Sequence, residues 1–141
     1  MKQISLFALL TLLLFGCALP TKQWSNENKN QVWTAMVAAA NSPDYSSKDP
    51  KRRWIVVENN VDVNTTLNRI VIMRKLARSL KLPRQVVQND TRDWLFVIKL
   101  LPQQIPTVTF DVPESQLVPA RSIDEAKRYF LQVDDLLQPL E

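Results

Sequence analysis

The chain has 141 residues, sets 18 basic against 14 acidic side chains for a net charge of +4, and holds no histidine, one cysteine and one glycine. That size allows one small domain, and the absent histidine with a lone cysteine excludes His/Cys zinc sites, Cys–His or Ser–His–Asp nucleophiles and an intrachain disulfide framework. A single glycine also excludes a P-loop or a dinucleotide-binding fingerprint, each of which needs several.

Met1-Lys2-Gln3 places one positive charge ahead of an apolar run from Ile4 to Phe15, interrupted by Ser5 and Thr11. A membrane-spanning helix needs about 20 apolar residues and a secretory h-region roughly 7 to 15, so the length fits a signal peptide. The run ends at Leu14-Phe15-Gly16-Cys17, which resembles the lipobox of bacterial lipoprotein precursors. The resemblance implies cleavage ahead of Cys17, whose thiol takes a diacylglycerol group as a thioether, and a triacylated mature N-terminus. Several acyl chains, each contributing roughly 0.8 kcal/mol per buried methylene, hold a protein on a membrane durably. Ala18 stands where an Asp commonly signals inner-membrane retention, so the resemblance further implies the periplasmic face of the outer membrane of a two-membrane bacterium. Residues 1–16 are thus expected to be a signal peptide, 17–52 a lipidated tether with an amphipathic helix and a flexible linker, and 53–141 a small α+β domain.

In chain order, Val32, Trp33, Met36, Val37 and Ala40 recur at helical spacing and predict a first helix over about 26–41. Ser42-Pro43-Asp44 and the polar run to Pro50 interrupt it, because proline removes a donor and biases the residue before it toward extended conformations. The lone aromatic there, Tyr45, reads as a docking contact. Trp54-Ile55-Val56-Val57 reads as a buried strand ended by Asn59-Asn60. Asn64 is suited to cap a helix running to about Leu82, with Leu67, Ile70, Met73, Ala77 and Leu80 three or four residues apart. Trp94 to Leu101 is almost continuously apolar, as in a central strand, whereas Thr107 to Val112 alternates as a strand with one wet face. With no glycine to supply positive φ, the join at 102–106 is expected to be a wide loop. Ser122-Ile123-Asp124-Glu125 has the spacing of a capping box, ahead of Ala126, Phe130, Val133 and Leu137 on one stripe. The expected architecture is α+β: an N-terminal helix plus a β-α-β-β-α domain with a three-stranded sheet packed by helices. That order of elements resembles small modules of secretin channels and associated secretion-system lipoproteins.

Three sets of side chains are candidates for function. Arg74, Lys75, Arg78 and Lys81 would share one side of the helix after Asn64, extended by Lys51-Arg52-Arg53 and Arg84, and a positive face of that size could meet an anionic envelope component. A solvated surface is the competing reading, since cations near a helix C-terminus are favoured by its dipole. Trp33 and Val37 on the first helix, and Val108, Phe110 and Val112 on an expected edge strand, could form a partner interface by groove docking or strand addition. Trp54 and Trp94 open apolar strands and read as core, while Trp24, near the lipid anchor, reads as an interfacial residue. Asp134 and Asp135 are helix neighbours about 100° apart and do not converge. Glu58, Asp93 and Asp111 would serve as catalytic carboxylates only if a cleft brought them together.

These features point away from an enzyme and toward a lipid-anchored lipoprotein that assembles, pilots or scaffolds a secretion- or conjugation-type envelope machine through protein–protein contacts. The alternative is a module that binds an anionic envelope component through the basic helix face. The membrane, through Cys17, and a protein in the cell envelope are the expected partners, with no cofactor, no metal and no nucleic acid.

Overall fold

Asn28 starts the first helix, α1 (Lys29–Asn41), its side chain accepting from the Asn30 N–H at 2.8 Å while Gln31 accepts from the Asn28 N–H. This capping box and the alanine-rich run behind it are strong local helix signals. In the computed structural model, which describes residues 19–113 and 119–138, α1 is followed by β2 (Ile55–Asn64), β3 (Arg69–Leu80), β4 (Gln88–Leu100) and β5 (Thr107–Asp111). The short strand β1 (Thr21–Gln23) precedes α1, and α2 (Pro119–Leu137) closes the described chain. The strands form one antiparallel sheet in the order β1-β5-β4-β3-β2. Four of them are a simple meander, and β1 returns to pair with β5.

This architecture overturns the expected three-stranded β-α-β-β-α domain, and with it the order of elements that resembled secretin-type modules. The segment from Arg69 to Leu80 is not a helix but the second-longest strand of the sheet. Its apolar residues fit a spacing of three and four, yet Ile70, Ile72, Leu76 and Leu80 also fall on a period of two and all are buried. Arg74 and Arg78 occupy inward positions of the same series and so hide the alternation. The β-branched run Ile70-Val71-Ile72 then favours the strand.

The hairpins around β3 are made without glycine. Asn68 adopts φ of 48° in the β2–β3 turn and Arg84 adopts φ of 63° in the β3–β4 turn, left-handed conformations that asparagine tolerates better than most residues. Asn64 does cap, but it caps a turn: its side chain accepts from the Leu67 N–H at 2.9 Å. The strand that starts near Trp54 runs past Asn59-Asn60, with a register shift between Val56 and Glu58.

Both helices lie on one face of the sheet. Ile70, Ile72, Trp94, Phe96, Ile98, Val108 and Phe110 from the strands meet Val32, Met36, Ala126, Tyr129 and Val133 from the helices in one core. Aromatic rings carry it across the layers: Phe96 to Phe110 at 5.1 Å, Phe110 to Tyr129 at 5.6 Å, and Phe130 edge-on to Trp24 at 6.0 Å. The α2 stripe of Ala126, Phe130, Val133 and Leu137 does face this core. Ser122, however, lies inside α2, which already begins at Pro119.

The tether and linker residues belong to the same core. Trp24, expected at a membrane interface, is buried against Phe130 and donates its indole N–H to Asp134 at 2.7 Å. Tyr45, expected in a flexible linker, is buried beneath α2. Among the described residues, no helix covers the other face of the sheet.

Candidate functional site

Arg74 is 3% exposed, on the inward side of β3. Its Nε donates to Asn59 Oδ1 at 2.8 Å, one terminal nitrogen to the Ala40 carbonyl at 3.0 Å and the other to the Tyr45 hydroxyl at 3.3 Å. The Ala40 carbonyl is among the last of α1, which intrahelical bonding leaves open, so Arg74 acts as a buried C-terminal cap where the helix dipole is negative. Burial pulls the Arg74 guanidinium below its ordinary value, and the Tyr45 hydroxyl opposes this. Tyr45 donates to Glu125 Oε2 at 2.8 Å, and Arg128 reaches both Glu125 at 2.8 Å and the Tyr45 oxygen at 2.9 Å. Burial first, then the Glu125 charge, pushes the Tyr45 hydroxyl up to about 12. It is therefore a fixed proton donor at neutral pH and a poor base. With each member paired, this network ties α1, the linker, the sheet and α2 together.

Next to it opens a cleft of about 720 Å³, lined by residues between Asp44 and Trp54, by Arg78 and Arg92 of the β3–β4 hairpin, and by α2 from Arg121 to Asp135. Seven basic side chains line it against four carboxylates. Trp54 is a shared platform, with the Arg92 and Arg78 guanidinium carbons 4.1 and 4.6 Å from its ring centre. Arg78 also pairs with Asp90 and donates to the Lys51 carbonyl. Arg92 makes no ion pair or hydrogen bond among the described residues, although the charges of Glu125 and Asp90 act on it from farther off. Burial, then the charges of Arg121 and Arg78, lower its pKa.

The uncovered face of the sheet is the second surface of note. Cross-strand pairing sets Met73 beside Leu95 and Val71 beside Val97 at its centre. The row Glu58, Lys75, Asp93 crosses three strands on one side of this patch, and Arg69 with Lys99 lies on the other. Met73 is 57% exposed.

The four cations assigned to one helix face are divided by the strand. Arg74 is in the core, Lys75 is on the open face, Arg78 lines the cleft, and Lys81 lies exposed beyond the end of β3. Lys51 and Arg52 join Arg78 in the cleft, while Arg53 bonds the Ser47 carbonyl and Arg84 sits in a turn. The residues assigned to a partner interface are mostly interior: Val108, Phe110 and Val112 are core, and Trp33 and Val37 pack partly buried against it. The strand carrying Val108 and Phe110 is not an edge, because β1 covers it. Glu58 and Asp93 are held apart by β3, about 10 Å at ordinary strand spacing, and Asp111 pairs farther along the sheet with Val97, so no carboxylate pair converges. Cys17 lies outside the described residues.

Arg92 was legible in principle, since the alternation Arg92-Trp94-Phe96-Ile98 puts it on the core side. Arg121 and Trp54 join it only through the tertiary fold. Among the described residues no group of three or more His, Cys, Asp or Glu could hold a metal ion, and no helix is long and apolar enough to cross a membrane. No known protein family, curated protein or solved structure matches the chain.

Proposed function

We propose that the protein is a lipid-anchored subunit of a cell-envelope assembly, held through acylated Cys17 on the periplasmic face of the outer membrane, and that it acts by binding another protein and not by catalysis. The observation that carries this reading is the open face of the sheet. Both helices pack on the opposite side, and the uncovered strands present an apolar centre of Val71, Met73, Leu95 and Val97 within a charged rim. An apolar centre with a polar rim is the anatomy of a protein–protein interface. The Glu125 Oε2 oxygen is also taken up by Tyr45 and Arg128, as in a structural tie between α2 and the segment before β2.

The test is a charge placed in the patch. Met73→Glu in the full-length protein is expected to leave folding unchanged and to move the detergent-solubilised envelope complex to a smaller size on native electrophoresis. A complex of unchanged size would refute the reading.

A further inference from the structure

The cleft around Trp54 is a separate surface, on the helix side of the sheet. Its cations come from three places in the chain: Lys51 from the turn before β2, Arg78 and Arg92 from the β3–β4 hairpin, and Arg121 from the first turns of α2. Of the four lining carboxylates, Glu125 is held by Arg128 and Tyr45, and Asp44 accepts from the Ser46 N–H at 2.8 Å. Asp124 and Asp135 remain, so positive charge predominates. Like charges gathered at a partly buried site repel each other, and burial weakens solvation of the inner one. Arg92 bears this cost without an ion pair of its own: burial, Arg121 and Arg78, in that order, weaken its hold on its proton, and Glu125 and Asp90 offset them only in part. A multiply charged anion would relieve it. Guanidiniums lying over an indole face keep in-plane N–H groups available to such an anion, and donors arriving from separate elements suit a tetrahedral group better than a flat carboxylate.

We propose that Arg92, Arg121 and Lys51, set around Trp54, form a binding site for a phosphate group, carried either by an anionic lipid headgroup or by a soluble phosphorylated compound. This site is independent of the open sheet face and of any protein bound there.

The experiment uses the full-length lipidated protein in neutral detergent at constant ionic strength. One arm adds inorganic phosphate, the other adds phosphatidylglycerol to the micelles, and tryptophan fluorescence follows both, since Trp54 lies beneath the site. Saturable binding in either arm is expected, weakening as salt is raised. Lys51→Gln with Arg121→Gln, both exposed positions, is expected to weaken it about tenfold or more, as is Arg92→Gln, while Lys75→Gln on the opposite face leaves it unchanged. Binding of the lipid alone identifies a headgroup site, and binding of free phosphate alone a soluble ligand. Absence of saturable binding in both arms, or equal binding by wild type and the Lys51/Arg121 variant, overturns the proposal.

Discussion

The Tyr45 hydroxyl donates to Glu125 Oε2 at 2.8 Å across 80 residues of sequence, fixing the segment between α1 and β2 beneath the final helix. The contact is buried, and Arg74 and Arg128 both reach the same hydroxyl oxygen. Removing it with Tyr45→Phe takes one donor from a buried carboxylate and one acceptor from each of two guanidiniums, those of Arg74 and Arg128. A loss of about 1–3 kcal/mol is expected in urea unfolding at pH 7.

The same residue sets an alkaline limit on stability. Its folded pKa of about 12 lies above the ordinary 10, so both states are protonated below pH 10 and its contribution is fully present there. Between about pH 10 and 12 the unfolded chain loses the proton while the folded chain keeps it, and stability falls. The gap between the two values corresponds to roughly 3 kcal/mol. Tyr129, raised by burial in the same direction, adds to the slope. Unfolding curves from pH 8 to 12 are expected to show this decline in wild type and a shallower one in Tyr45→Phe.

Arg74 and Lys75 are adjacent in sequence and face opposite sides of the sheet, so the same substitution should cost far more at Arg74 than at Lys75. Arg74→Met leaves Asn59 Oδ1 without its donor and takes one of two donors from the Ala40 carbonyl and from the Tyr45 hydroxyl, and is expected to cost about 1–3 kcal/mol. Lys75→Met, on the open face, is expected to stay within about 0.5 kcal/mol of wild type. Equal costs in denaturant unfolding would contradict the placement of β3.

How much was legible follows from this pair. Local signals carried the first helix, the apolar β4, the alternation of β5 and the inward stripe of α2, because each depends on neighbours in sequence. They failed at β3, where buried Arg74 and half-buried Arg78 at inward positions broke the two-residue period and left spacings that mimic a helix. The absence of glycine from the described residues also concealed two hairpin connections, whose left-handed residues are Asn68 and Arg84. The basic cluster was visible as composition, but its division into a core cap, an open-face lysine and a cleft depended on the strand. The docking of Trp24 and Tyr45 depends on partners 80 or more residues away, beyond the reach of any periodicity.

Asp134 secures the other end of the domain. It accepts from the Trp24 indole at 2.7 Å and pairs with Lys22 at 2.5 Å, holding β1 at the point where the chain leaves toward Cys17. Because Lys22 and Asp134 are partly exposed, solvent screens the ion pair and most of the effect rests with the indole. Asp134→Ala is expected to cost about 1–2 kcal/mol and to red-shift tryptophan emission. Amide exchange at Thr21–Gln23 should quicken ahead of the rest of the sheet.

Anchoring is tested at Cys17. The lipobox reading expects mass spectrometry of the mature protein to show an acylated N-terminal cysteine, and Cys17→Ser to abolish both the acylation and the processing at that site. An unmodified cysteine in a processed chain would contradict the lipid anchor.

The open sheet face, with Met73 at its centre, is the proposed docking surface for another protein. The most direct measurement puts a photoreactive amino acid at position 73 in cells, with position 127 on exposed α2 as the control. The account predicts a discrete crosslinked protein partner from position 73 and none from position 127. No crosslink at 73, or the same products from both positions, would contradict it.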